Sequence, residues 1–162
     1  MSLIEDSPRK NTCLNIGMNP EPTEPDGDLA KFTKCDIFSP DEISQIMATK
    51  INKRGSLLEP AVGSGNLLKF LNIHDYTSID VFEIKKQYLD QINDDAGIVR
   101  KHAEDFIKYD YDSQTKYDNI IMNPPYIKIQ DLSVDYRKYI KDAFPILNTG
   151  SVLTVALFYY KP

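Results

Sequence analysis

The stretch Leu57-Leu58-Glu59-Pro60-Ala61-Val62-Gly63-Ser64-Gly65-Asn66-Leu67 narrows the possible folds more than any other part of the chain. A short apolar run that ends in Gly-x-Gly and passes into a helical pattern opens a strand–turn–helix unit. Glycine there lets the backbone turn tightly and lets a ligand approach where a side chain would clash. The spacing predicts a strand over Ser56–Glu59 and a helix opening over 66–71. Leu68 stands where a dinucleotide fingerprint would place its third glycine, which weighs against a pyrophosphate site. Alone, Gly-x-Gly fits any tight strand-to-helix turn equally well.

The same alternation runs through the rest of the chain. Ser39-Pro40-Asp41-Glu42 reads as a helix start: a hydroxyl cap, a proline at the first helical position and acids in the first turn. Ile43, Ile46, Met47 and Ile51 fall on one face of that helix, and Gly55 ends it. Strands are predicted over 77–83, 97–101 and 119–122, helices over 84–92 and 134–144, and a long apolar strand over 151–160. Strands alternating with helices imply a mostly parallel sheet covered on both faces, a Rossmann-like α/β domain. Residues 1–30, with Pro8, Pro20, Pro22 and Pro25 among acidic and polar neighbours, read as a disordered or loosely attached tail, leaving 31–162 as the domain.

Bulk properties bound the function. A chain of 162 residues can bury one real core, and 41% hydrophobic with 27% charged residues is ordinary for a globular domain. Cys13 and Cys35 show no paired or metal-like spacing, which points to a reducing, intracellular and by default cytoplasmic setting. The start Met-Ser-Leu-Ile-Glu-Asp is not a signal peptide, and the apolar run 152–160 is too short to span a bilayer, so no membrane partner is expected. His74 and His102 are isolated, and no metal site is expected. A net charge of -5 runs against a nucleic-acid partner, but a base-modifying enzyme can carry its basic surface in another domain.

Three further segments carry chemistry. Glu83 closes the strand at 77–83, where a carboxylate can accept both hydroxyl hydrogens of a ribose; Asp80 competes for that role but lies too early in the strand. Asp105 can accept a hydrogen bond from an adenine amino group while Phe106 packs on the ring, although a polar helix start with one core aromatic explains the pair as simply. Asn123-Pro124-Pro125-Tyr126 follows an apolar strand, where a doubly wound sheet places its ligands. Such a tetrapeptide arises by chance in a chain this size on the order of once in a thousand or less. Two successive prolines make a stiff loop without backbone donors. The Asn123 amide oxygen and the Pro124 carbonyl can together hold the two hydrogens of an exocyclic amino group, and Tyr126 offers a flat face to a base.

These segments, in this order, resemble the N6-adenine DNA methyltransferases, whose hallmark is Asp/Asn/Ser-Pro-Pro-Tyr/Phe after the fourth strand. The resemblance runs from Phe38-Ser39-Pro40, similar to the family's cofactor-side Thr-Pro segment, to about Ser151-Val152-Leu153. It implies that S-adenosylmethionine is the co-substrate. Glu59, Gly63 and Gly65 would bracket its methionine part, Glu83 would hold its ribose, and Asp105 and Phe106 would contact its adenine, with Phe38, Pro40 and Ile84 also on the cofactor side. Asn123, Pro124, Pro125 and Tyr126 would form the catalytic pocket, with Asn123 also facing the cofactor. The acceptor would be an adenine flipped out of double-stranded DNA, in a restriction-modification setting.

In that family the sheet continues past the fifth strand and a further region reads the DNA sequence. The chain therefore reads as a fragment, a truncated product or one half of a two-chain enzyme, its catalytic domain incomplete at the C-terminus. Tyr136-Arg137-Lys138-Tyr139 with Lys141 suits a DNA contact or, more simply, a solvated helix face. RNA, cytosine N4 or a protein glutamine amide are alternative acceptors, and a non-catalytic remnant is the alternative to an enzyme.

Overall fold

The computed structural model describes residues 38–112, 114–145 and 154–160. Four strands, β1 (Ser56–Glu59), β2 (Ser78–Phe82), β3 (Val99–His102) and β4 (Asn119–Ile120), form one all-parallel sheet in the order β3-β2-β1-β4. Helices α1 (Asp41–Lys50), α2 (Lys86–Leu89), α3 (Val134–Ala143) and α4 (Val155–Tyr160) flank it.

Successive strand residues point to opposite faces, and both faces are buried. Leu57, Ile79, Val81 and Val99 join one core with Ala48 of α1, Leu67, Leu68 and Leu71 of the following turn, and Leu89 of α2. Leu58 and Phe82 join a second core with Phe106, Tyr136 and Ile140 of α3, and Leu157 and Phe158 of α4. Each fully buried Leu or Ile contributes about 1.5–3 kcal/mol by leaving water, so continuous apolar strands are what a sheet covered on both sides requires. β2 and β4 lie on opposite sides of β1, and the crevice outside the carboxyl ends of β1 and β4 is the switch point of the topology.

Asp80 interrupts the apolar run of β2 and is 2% exposed. Its Oδ1 accepts from Arg100 Nε at 2.7 Å and lies 2.8 Å from His102 Nε2. Its Oδ2 accepts from Arg100 Nη2 and, at 3.0 Å, from the Tyr117 hydroxyl. Burial works against its ionisation, but the hydrogen bonds from Arg100, His102 and Tyr117 outweigh it and hold the carboxyl below its ordinary range. Asp80 is therefore a structural carboxylate joining β2 to β3.

Several elements differ from expectation. The predicted strand over 151–160 is helical over Val155–Tyr160, its first three residues lying outside the described ones, as does the stretch 1–30. Thr154, Leu157 and Phe158 are buried at i, i+3 and i+4 while Tyr159 is exposed, a helical spacing that an apolar run conceals. The helix expected over 66–71 is one 3-10 turn, Leu68–Phe70, and that over 84–92 shrinks to α2. Lys85 is extended there because its N–H is taken, at 2.9 Å, by the Glu83 carboxylate. α1 seats on Ser44 and Ala48, small residues four apart, while Ile43 and Ile46 stay exposed. The Ser39 hydroxyl does not cap α1; it accepts a bond from Asn123.

Candidate active site

A cavity of about 410 Å³ opens at the carboxyl ends of β1 and β2 and reaches the loop after β4. That volume suits a small molecule. Glu59, the last residue of β1, lines it and is 1% exposed, yet neither carboxylate oxygen has a hydrogen-bond partner among the described residues. Burial alone therefore drives its pKa well above the carboxylate range. An unpaired buried carboxylate is costly, and such groups are rare unless a ligand completes them.

The turn beyond Glu59 is held from three directions. Val62 N–H donates to Phe82 C=O at 3.0 Å, and Gly63 N–H donates to Glu83 Oε2 at 3.1 Å. Gly63 has φ +54°, and a Cβ there would lie 2.9 Å from the Phe38 ring, so conformation and space both require glycine. Phe38 in turn meets Tyr88 edge-on at 5.4 Å. Glu83, just beyond β2, thus braces the turn with one oxygen and Lys85 N–H with the other, and the residue also lines the cavity.

An aromatic group forms another wall. Phe106 stacks on Phe158 of α4 at 5.5 Å and 11°, and meets Phe82 edge-on at 5.2 Å. Beside it Asp105 Oδ1 accepts from Ile107 N–H at 2.9 Å, and Oδ2 accepts from the Tyr136 hydroxyl at 2.7 Å.

The Asn-Pro-Pro-Tyr loop closes the cavity from the β4 side. Asn123 donates through Nδ2 to Ser39 Oγ at 2.9 Å, which leaves its amide oxygen as an acceptor. Pro124 is buried and Pro125 exposed. The Pro125 carbonyl accepts from Thr154 Oγ1 at 2.7 Å, and the same hydroxyl accepts from Ile127 N–H at 3.1 Å. Thr154, wholly buried, thereby clamps the loop, and Pro124 alone of the two prolines keeps a carbonyl not tied in this way. Tyr126 is 67% exposed at the cavity rim.

Of the residues singled out in the sequence, Phe38, Glu59, Gly63, Glu83, Ile84, Asp105, Phe106, Asn123, Pro124, Pro125 and Tyr126 line this one cavity. Pro40 and Gly65 do not; Gly65 shapes the turn behind it at φ +85°. Sequence reasoning missed Phe158, Phe82 and Tyr88 as lining residues. Phe158 was hidden in the supposed strand, and only its helical spacing from Thr154 could have revealed it. The basic–aromatic cluster on α3 mostly faces inward: Tyr136 is buried, Tyr139 donates to Ile107 C=O at 3.1 Å, and Arg137 donates to the carbonyls of Gln130 and Leu132. Lys138 and Lys141 alone of the group are exposed. Among the described residues no group of His, Cys, Asp and Glu could hold a metal ion, and no helix is long and apolar enough to cross a membrane.

A parallel sheet with its cavity at the switch point, a Gly-x-Gly turn after β1 and an acid at the tip of β2 define a Rossmann-like methyltransferase fold. Residues 43–161 match the model of the Eco57I restriction-modification methylase family, and the chain belongs to that family. It is 34% identical over 119 residues to the Type II methyltransferase M.HincII of Haemophilus influenzae, a match covering 69% of this chain and 21% of that protein. The Type II methyltransferase M.HindII of Haemophilus influenzae strain ATCC 51907 / DSM 11121 / KW20 / Rd matches at the same 34%, over 20% of its length. The chain thus spans about a fifth of the length of the curated relatives it matches.

Proposed function

We propose that residues 31–162 form the cofactor-binding and catalytic part of a DNA methyltransferase that transfers a methyl group from S-adenosylmethionine to the N6 amino group of an adenine flipped out of the duplex. The observation that carries this reading is the Asn-Pro-Pro-Tyr loop on the wall of the same cavity that holds the unpaired Glu59 carboxylate. Membership of a restriction-modification methylase family supports the DNA substrate and an intracellular setting.

The cavity's own residues fit the co-substrate. Glu59 lacks a partner among the described residues and would take the cationic amino group of the methionine part; Glu83 would accept from the ribose hydroxyls; Asp105 would accept from the adenine amino group, with Phe106 and Phe158 against the ring. When bound, S-adenosylmethionine supplies a methyl group activated by a sulfonium. The aromatic amino group of the acceptor is a poor nucleophile because its lone pair is delocalised. Asn123 Oδ1 and the Pro124 carbonyl would accept its two N–H bonds, drawing the nitrogen towards tetrahedral geometry and localising the pair. The nitrogen would then form its bond to the methyl carbon as the carbon–sulfur bond breaks, leaving S-adenosylhomocysteine, and its surplus proton would pass to solvent. Ser39, by taking Nδ2 of Asn123, holds the amide with its oxygen free for this task. Tyr126, exposed at the rim, would stack on the flipped base. Positioning and electrostatics supply most of the rate.

The test is transfer of labelled methyl from S-adenosylmethionine to mixed-sequence DNA, RNA and protein, followed by identification of the modified unit. N6-methyladenine in DNA is expected. N4-methylcytosine, labelled RNA or a labelled protein amide would replace the acceptor. Cofactor binding by the folded chain without transfer would assign the grip on DNA to another segment or a second chain.

A further inference from the structure

Asp105 is held from two sides, and the second hold comes from a distant element. Ile107 N–H occupies Oδ1 through a local turn, an arrangement any Asp-x-x segment can make. Oδ2 is bonded at 2.7 Å by the hydroxyl of Tyr136, thirty-one residues further along and on α3. Tyr136 is 1% exposed, its N–H caps back to Ser133 Oγ at 3.1 Å, and Lys108 Nζ sits 4.3 Å over its ring. The phenol is thus held in place, and it fixes the rotation of the carboxylate of Asp105, a residue that lines the cavity. A carboxylate with both oxygens fixed keeps its remaining lone pairs in a set direction.

We propose that Tyr136 is a positioning residue that makes Asp105 selective for the exocyclic amino group of the cofactor's adenine. The proposal rests on the cofactor reading above and adds the residue that sets its discrimination. An amino group donates to the fixed carboxylate, whereas the carbonyl oxygen of hypoxanthine would face it acceptor to acceptor. A carboxylate freed on one side can turn away from that clash, so removing the phenol hydroxyl blunts the preference.

The test compares, by titration calorimetry, S-adenosylhomocysteine with its inosine counterpart on wild type, Tyr136→Phe and Asp105→Asn. Wild type should prefer the adenine compound by about tenfold or more, and Tyr136→Phe should narrow that ratio by about five- to tenfold, chiefly through weaker binding of the adenine compound. Asp105→Asn, which can donate to a carbonyl, should shift the preference towards the inosine compound. A purely structural role for Tyr136 would weaken both ligands alike and leave the ratio unchanged. That result, with Asp105→Asn still shifting the preference, overturns the proposal and leaves the cofactor reading standing. An unchanged ratio in both variants removes Asp105 from the adenine site. Wild type binding neither compound overturns the cofactor reading itself.

Discussion

Asp80 and Glu59 stand on neighbouring strands, one step apart in register, since Leu58 pairs with Asp80 and Glu59 with Val81. They are buried almost equally, at 2% and 1% exposure. Asp80, on the flank of the sheet, collects Arg100, His102 and Tyr117 and is held ionised. Glu59, at the carboxyl edge, collects nothing from the described residues, and burial holds its pKa high. The flank is complete within the chain. The edge is left without donors by the described residues. Polar burial therefore separates the region that stabilises this fold from the region proposed to receive a ligand.

The widest split between the two regions is expected at Asn123. Asn123→Ala should lower methyl transfer by about 10²–10³-fold in the transfer-competent protein, with cofactor affinity and thermal midpoint largely kept. Loss of binding with normal folding would mean that the loop holds the cofactor rather than the acceptor. Asp80→Asn should do the reverse. It leaves Arg100 without its carboxylate and costs about 2–3 kcal/mol in denaturant unfolding, below the usual loss for a broken buried pair because water still reaches the guanidinium. Since the folded pKa of Asp80 is lowered, its stabilisation is present above the ordinary carboxylate pKa and disappears as pH falls through the lowered value. Acid unfolding of wild type should therefore show a component that Asp80→Asn lacks.

Glu83→Ala should weaken cofactor binding by about tenfold, because its carboxylate braces the Gly63 turn of a cavity that the same residue lines. Unchanged affinity in calorimetry would remove Glu83 from the ribose role; Asp80, fully engaged on the flank, could not take its place. The smallest expected effect is on stability at Glu59. Its folded pKa is raised, so stability is highest below the ordinary glutamate pKa and declines as pH rises towards the raised value. Glu59→Gln should abolish that decline in denaturant unfolding between mildly acidic and neutral pH. A slope identical to wild type would show that Glu59 is paired in solution.

The sheet was legible in the sequence where local pattern and tertiary demand agreed. β1 was expected over Ser56–Glu59 and is found there, because its apolar run ends at a glycine turn that nothing else in the chain can override. The helices were less legible. Glu83 takes Lys85 N–H and so delays α2, an interaction of a side chain with backbone that periodicity does not report. The segment 151–160 was misread because Val152, Thr154 and Val155 favour strands by propensity, whereas packing of Thr154, Leu157 and Phe158 on one face makes the described part helical. At the cavity, residues in compact motifs were visible one motif at a time. Phe158, Tyr136 and Thr154 were not, since each acts on a motif far from it in sequence.

The most direct test of the contrast between the two carboxylates is proton release on cofactor binding. S-adenosylhomocysteine would be titrated into wild type and Glu59→Gln at pH 6 (a condition that keeps the ligand's amino group cationic) in buffers of different ionisation enthalpy. If the cavity leaves Glu59 neutral until a cationic group arrives, wild type releases protons on binding, and Glu59→Gln binds more weakly and releases fewer. Equal proton release and equal affinity in the two proteins would contradict the account, because Glu59 would then be no part of what the cavity receives.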